Sequence, residues 1–261
     1  EGSGVFDPVK AVGMPSAFYR VDERLRPDLI DVQRLLETGD YQLLFLVHYF
    51  GCPQADIGKL VRLCADFDVQ VIEDCAHSIT GGITGSKLGT TGHYSIFSIH
   101  KSTASISGGY FLDHVKDVSC VSLLPQHAID PASLAWFANT DIHGMSMMRI
   151  ENYKQVNTVI GEMLQVEPFF DEVAVGCVPL NYPIVLPEGT RADLYRVLIS
   201  HDVLPTALYH TLIPEICEYE FCEAVQVSRN IINLPTHQDI TGTMMPKYLE
   251  KLQLAFREVY G

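Results

Sequence analysis

The chain has 261 residues, of which 47% are hydrophobic and 19% charged; this is a globular composition with no disorder signature and length enough for a sizeable core in one or two domains. A formal net charge of −14 and a pI near 5.0 argue against nucleic acid or an anionic membrane as the main partner. No apolar run is long enough to span a bilayer, and seven scattered cysteines without a C-x-x-C pair favour a reduced, cytoplasmic setting with no zinc.

The chain opens on Glu1 rather than methionine, and we expect this to be the cut edge of a longer protein. Leu43 to His48 is a continuous apolar run, as for a strand buried on both faces, and Gly51-Cys52-Pro53 breaks it. Asp56 is placed to cap a helix whose apolar face is Ile57, Leu60, Val61, Leu63 and Cys64. Val69 to Ile72 is the next strand and closes at Glu73-Asp74, so a strand–helix–strand unit with parallel pairing is expected.

Gly81 to Gly85, with Gly89 and Gly92, reads as loop and turn. Strands are expected over Tyr94 to Ile99 and Gly109 to Leu112, then loops and short helices to about 145, with the sole tryptophan, Trp136, in a core. Met148 to Val166 and Arg191 to His201 show helical periodicity. Prolines in Val178 to Leu186 suit an edge strand, Ile231 to Pro235 is strand-like, and Thr241 is placed to cap a terminal helix ending near Tyr260. The expected architecture is α/β: a mostly parallel sheet flanked by helices in a truncated large domain over 1–115, and a small α+β domain within 116–261.

Two segments carry the chemistry. Asp74 lies at the carboxyl end of a strand, where open α/β sheets bind ligands. Lys101 follows the Tyr94–Ile99 strand and precedes Gly108-Gly109. A carboxylate for a pyridine nitrogen and an amine for an aldehyde are what a pyridoxal phosphate site needs. The carboxylate keeps the ring nitrogen protonated, and a desolvated lysine is both nucleophile and base. Ser98 could donate to a phosphate oxygen or be an ordinary strand serine. His77 and Asp74 lack a third ligand at metal-binding spacing, so no metal is expected.

The run Val71-Ile72-Glu73-Asp74-Cys75-Ala76-His77-Ser78, then Gly85 and Leu88-Gly89, then Phe97-Ser98-Ile99-His100-Lys101 and Gly108-Gly109, resembles the DegT–DnrJ–StrS family. His48-Tyr49-Phe50-Gly51-Cys52-Pro53-Gln54 resembles its H-x-x-G-x-P/Q turn, and Leu234-Pro235-Thr236-His237 its L-P-x-H segment. These are fold-type-I, pyridoxal-phosphate-dependent nucleotide-sugar aminotransferases. The resemblance implies that Asp74 holds the pyridinium nitrogen, Lys101 forms the Schiff base, His77 lies against the cofactor ring and Ser98 contacts the phosphate. It also implies a nucleotide-linked keto-sugar substrate, glutamate as amino donor and a homodimer. The lysine lies closer to Ser98 than usual, in a shorter-looped pattern, and the family's N-terminal phosphate-cradling portion has no counterpart. A relative without catalysis, acting as a regulatory or interaction module, therefore stays open. So does a pyridoxal-phosphate sugar dehydratase, in which His100 would be the key residue. His201, His210 and His237 are expected to be structural or at the rim, and Tyr209, Tyr219 and Phe221 to pack, with stacking on a nucleotide base as the alternative.

Overall fold

The computed structural model describes residues 4–78, 88–115 and 128–261; the Gly81–Gly85 loop and the Gly85 of the motif lie outside them. After a short α1 (Phe6–Ala11), α2 spans Leu29–Thr38. The Asp28 carboxylate starts α2 by accepting from the Ile30 and Asp31 N–H groups, two of the donors that a helix start leaves unpaired. β1 (Leu43–Val47) runs into a single 3₁₀ turn at Tyr49–Gly51, and α3 (Ile57–Ala65) leads to β2 (Gln70–Asp74). β3 (Tyr94–Ser98) and β4 (Gly109–Asp113) complete a four-stranded sheet in the order β1-β2-β3-β4. Its first two pairings are parallel and its last is antiparallel. The expected mostly parallel, helix-flanked sheet is thus present.

β1 differs from the expectation of two buried faces. Leu44 and Leu46 are buried, together with Val71 on β2, against Val32 and Leu36 of α2 and Leu60 and Cys64 of α3. On the other face Leu43, Phe45, Ile72 and Ile96 line a cavity of about 480 Å³ between the sheet and the segment that follows α1. A run of five apolar residues cannot distinguish one packed face from two, because both leave the strand apolar. Asp56 precedes α3 but does not cap it: it sits at φ 59°, and no side-chain hydrogen bond to the helix start forms. Its carboxylate instead meets the Lys59 amine at 3.0 Å.

The second half builds another sheet. α4 (Pro131–Ala138) and α5 (Ile142–Ile160) precede a two-residue β5 (Glu167–Pro168) and β6 (Asn181–Val185). Then come α6 (Arg191–Ser200), α7 (Cys222–Asn230), β7 (Ile231–Pro235) and α8 (Met244–Tyr260). The order β5-β6-β7, antiparallel throughout, makes β6 the central strand rather than an edge. Pro183 is tolerated there because its carbonyl accepts from Phe169 N–H, so its missing donor also points to the side where β5 is only two residues long. Tyr182, Ile184, Ile232 and Leu234 of this sheet pack on Leu194 and Leu198 of α6 and Leu252 and Phe256 of α8.

Other boundaries moved. The expected Met148–Val166 helix begins earlier, at Ile142, where the Asp141 carboxylate accepts from Gly144 N–H. The terminal helix starts at Met244 with Thr243 in the cap position, and Thr241 contributes only its carbonyl. Trp136 is exposed on α4 instead of filling a core. Leu194 is fully buried, so Leu194→Ala should cost about 2–5 kcal/mol in urea unfolding, whereas Trp136→Ala should stay within about 0.5 kcal/mol.

Candidate active site

Strand register brings the site together. Val47 pairs with Asp74 and Asp74 with Ile96, so β1, β2 and β3 end at one edge of the sheet. Side chains alternate faces along a strand, which puts Asp74 and Ser98 on the face with Phe45, Ile72 and Ile96, and Glu73 on the opposite face with Ser95.

Glu73 is fully buried and its carboxylate is saturated with donors. Oε1 accepts from Thr91 N–H at 2.8 Å and from Gly92 N–H, while Oε2 accepts from Gly89 N–H at 3.0 Å. His48 completes the set. Its Nδ1 accepts from Gln54 N–H at 2.9 Å, so the proton of a neutral ring is on Nε2 and is donated to Glu73 Oε2 at 2.7 Å. Gln54 then anchors the turn by donating to the Leu25 and Val47 carbonyls, both at 3.0 Å. Burial pushes the Glu73 pKa up, but His48 and the loop amides outweigh it and hold the carboxyl below its ordinary 4.5. Cys75 lies in the same knot, with donor atoms of His48, Glu73 and Cys75 all within 4.8 Å. Burial pushes its thiol far up, and the hydrogen bonds just described engage both His48 nitrogens and both Glu73 oxygens.

Between His48 and Gln54 the chain turns sharply. Phe50 is left-handed, and so is Gly51, at φ 82°. A Cβ on Gly51 would stand 2.6 Å from the His77 carbonyl and 2.8 Å from that of Val178, so only glycine permits this close approach. The turn also ties the two sheets: Leu180 N–H donates to Phe50 O at 2.7 Å, and the buried Cys177 thiol meets Gly51 O at 3.1 Å and Cys52 Sγ at 2.7 Å.

On the other face, Asp74 Oδ1 accepts from Ala76 N–H at 2.8 Å, which fixes the carboxylate. Burial raises the Asp74 pKa, opposed by Ala76 N–H and by the charges of Lys101 and His48. Lys101 lies in a tight turn after β3, where Ser102 and Thr103 N–H donate to Ile99 O. Much of its side chain faces solvent, yet shielding of the amine lowers its pKa from 10.5, with Asp74 pulling the other way. His77 is 6% exposed. Burial, then the Lys101 charge, drives its pKa down to about 3, so the ring is neutral at physiological pH. Lys101 thus acts electrostatically on both Asp74 and His77, which brings the two separate sequence segments together. Ser98 is buried beside them, its Oγ 3.0 Å from His100 Nδ1.

The C-terminal half reaches this edge at two points. Gln238, just after the L-P-x-H segment, donates to Ser102 O at 3.4 Å, beside Lys101. Tyr209 places its hydroxyl 3.3 Å from both ring nitrogens of His77 and packs with Tyr49 and Phe50; the contact to His77 goes beyond the packing or base-stacking role expected of it. Of its expected companions, Tyr219 is fully exposed and Phe221 is buried elsewhere. His48, Glu73 and Tyr209 had no assigned role in the sequence. The motif around His48 and a carboxylate inside an apolar strand were signals for the first two; Tyr209 had none.

An α/β chain with a mostly parallel sheet, and an acid and an amine gathered at its carboxyl edge, has the fold of pyridoxal-phosphate aminotransferases. The structure superposes on the aminotransferase TlmJ from Streptoalloteichus hindustanus with a TM-score of 0.82, covering 100% of this chain and 78% of that one at 17% identity. Residues 4–113 match the DegT/DnrJ/EryC1/StrS aminotransferase family. Over 89 residues the chain is 35% identical to GDP-perosamine synthase from Vibrio cholerae, covering 33% of this chain and 24% of that enzyme. A further 31% identity over 96 residues relates it to the UDP-N-acetyl-3-dehydro-alpha-D-glucosamine 3-aminotransferase of Acidithiobacillus ferrooxidans, covering 37% of this chain and 26% of that enzyme. The matches therefore span about a quarter of these relatives' own length.

The Glu73 knot yields a signed pH dependence. A carboxyl held below its unfolded value stabilises the fold above about pH 4.5 and loses that contribution as pH falls through its depressed folded pKa. Urea unfolding from pH 7 to 3 should show this acid loss in the wild type and a flatter profile in Glu73→Gln. Glu73→Ala, which orphans several buried donors, should cost about 3 kcal/mol or more at pH 7.

Proposed function

We propose that this chain carries the cofactor and reaction residues of a pyridoxal-phosphate-dependent aminotransferase acting on a nucleotide-linked keto-sugar, with glutamate as amino donor. The observation that carries the reading is the mutual electrostatics of Asp74 and Lys101 at one strand edge: a buried carboxylate and an amine whose charged form is disfavoured. These residues fit pyridoxal phosphate. Lys101 Nζ would hold it covalently, Asp74 would hold the ring nitrogen, His77 would lie against the ring, and Ser98 would reach a phosphate oxygen. When bound, the cofactor would supply an electron-accepting ring that lets a C–H bond next to the amino group break.

The protein's own part is proton handling and positioning. With its pKa lowered, Lys101 Nζ is more readily deprotonated near neutrality, so it can take a proton from a substrate carbon and return it. A ring cation would hold Asp74 ionised despite its burial, because opposite charges in a shielded site favour both charged forms. Neutral His77 adds no competing positive charge beside Lys101. The two sugar-nucleotide relatives support the substrate class, and we read the assembly as a homodimer working in the cytoplasm; among the described residues no helix is long and apolar enough to cross a membrane. We also read 1–115 as the cofactor-binding portion and 116–261 as a connecting segment and small domain.

Incubation with pyridoxal phosphate should give a near-ultraviolet to visible band, and borohydride followed by peptide mass spectrometry should fix the label on Lys101. Lys101→Ala should lose both label and turnover, and Asp74→Asn should slow the glutamate half-reaction by about 10²–10⁴-fold with the fold intact. Labelling of another lysine would overturn the assignment. A protein that never acquires the band would be a non-catalytic relative, and cofactor binding without a reducible lysine bond would point to a dehydratase.

A further inference from the structure

Tyr209 stands out among residues with no assigned role. It comes from the C-terminal half, yet its ring is pinned between residues of the turn after β1. Its centroid lies 5.3 Å from Tyr49 at 81° and 5.7 Å from Phe50 at 74°, both edge-on, and 5.7 Å from His77. Its backbone sits at φ 62°, uncommon for a bulky residue and held only where surroundings enforce it. The enforcement is visible: Thr206 and Asn233 of β7 exchange backbone hydrogen bonds at 2.9 and 3.1 Å, and Asn233 Nδ2 adds a third to Thr206 O. The second sheet therefore delivers this tyrosine to the candidate site.

Its hydroxyl meets a ring whose protonation is already decided by the backbone. Phe50 N–H, which can only donate, points at His77 Nδ1 at 3.2 Å. In the neutral ring the proton is therefore on Nε2, and Tyr209 Oη, 3.3 Å from Nε2 and 3.3 Å from Nδ1, is within reach to accept it. Burial and the neighbouring Tyr49 and Asp74 keep the phenol protonated, so its own O–H remains available as a donor.

We propose that Tyr209 is a positioning residue for His77: its hydroxyl accepts the Nε2 proton and its ring closes the aromatic wall, so that the imidazole is held in a single tautomer and orientation at the mouth of the site. The hydrogen-bond chain Phe50 N–H to His77 to Tyr209 fixes a flat, neutral surface beside Lys101 and Asp74. Its value to cofactor binding rests on the aminotransferase reading; the tautomer lock itself does not.

Nitrogen-15 NMR of histidine-labelled protein without added cofactor tests the lock. The wild type should show His77 as the Nε2–H tautomer with a slowly exchanging Nε2 proton. Tyr209→Phe keeps the ring and removes the hydroxyl; it should speed that exchange roughly ten-fold and weaken pyridoxal phosphate binding by about five-fold, the worth of one neutral hydrogen bond. An Nδ1–H tautomer in the wild type, or unchanged exchange in Tyr209→Phe, overturns the proposal. Should the variant fail to fold, the wild-type Nε2 proton decides: exchange as fast as that of a free imidazole overturns the proposal. A locked His77 in a protein that binds no pyridoxal phosphate would sink the functional reading and leave the positioning role standing.

Discussion

A buried carboxylate organises the edge on which everything else depends. Glu73 leaves water completely, a transfer that is costly for an ion unless its oxygens are fully solvated by protein. Three loop amides and the His48 ring supply that solvation. They come from two pieces of chain: His48 from the turn after β1, and the three amides from the loop that feeds β3. One charge therefore welds the ends of three strands, and hydrogen bonds to an ionised acceptor are the strong kind. His48 links this knot to Gln54, and Gln54 to the Val47 and Leu25 carbonyls, so the turn carrying Phe50 and Gly51 has no freedom of its own.

The neighbouring residue shows what that rigidity serves. Glu73 and Asp74 are adjacent, and the period-two alternation of a strand sends them to opposite faces. Glu73 is saturated and its pKa lies below the usual value; Asp74 has an amide on one oxygen and a raised pKa. Two carboxylates in sequence thus take opposite electrostatic characters, one held below its ordinary pKa and one above, because their surroundings differ rather than their residue type. A reading that stops at the dipeptide sees two acids; the register decides which is which.

The same logic marks what the sequence disclosed and what it withheld. The β1–α3–β2 unit, the β3 and β7 strands and the α6 helix were legible because apolar periodicity and breakers such as Gly51-Cys52-Pro53 are local signals. Asp74 and Lys101 were legible as strand-end residues with chemistry to match. The face of β1 left open to a cavity was not, since an apolar strand reads the same in either setting. Asp56 and Thr241 had the right chemistry for caps, but φ at Asp56 and the start of α8 at Met244 belong to tertiary context. β6 looked like an edge because Pro183 removes a donor; only the pairing shows that the lost donor faces a two-residue strand. Tyr209 was beyond reach for a stronger reason: its partner His77 is 132 residues away, and nothing local in either segment announces the contact.

The electrostatics at the edge have one more consequence. Lys101, Asp74 and His77 are each driven toward their neutral form by burial, and each also feels a neighbour's charge. A cluster of this kind is least comfortable as a set of isolated ions and gains most when a ligand supplies the missing complement: a positive ring nitrogen for Asp74 and an electrophile for the Lys101 amine. The aromatic wall of Tyr49, Phe50, His77 and Tyr209 lowers the local dielectric that makes these preferences strong. Since Tyr209 and Gln238 reach the site from the second sheet, the strength of that preference depends on the two halves staying docked. The Phe50–Leu180 hydrogen bond and the Cys177 thiol's contacts to Gly51 O and Cys52 Sγ hold them there.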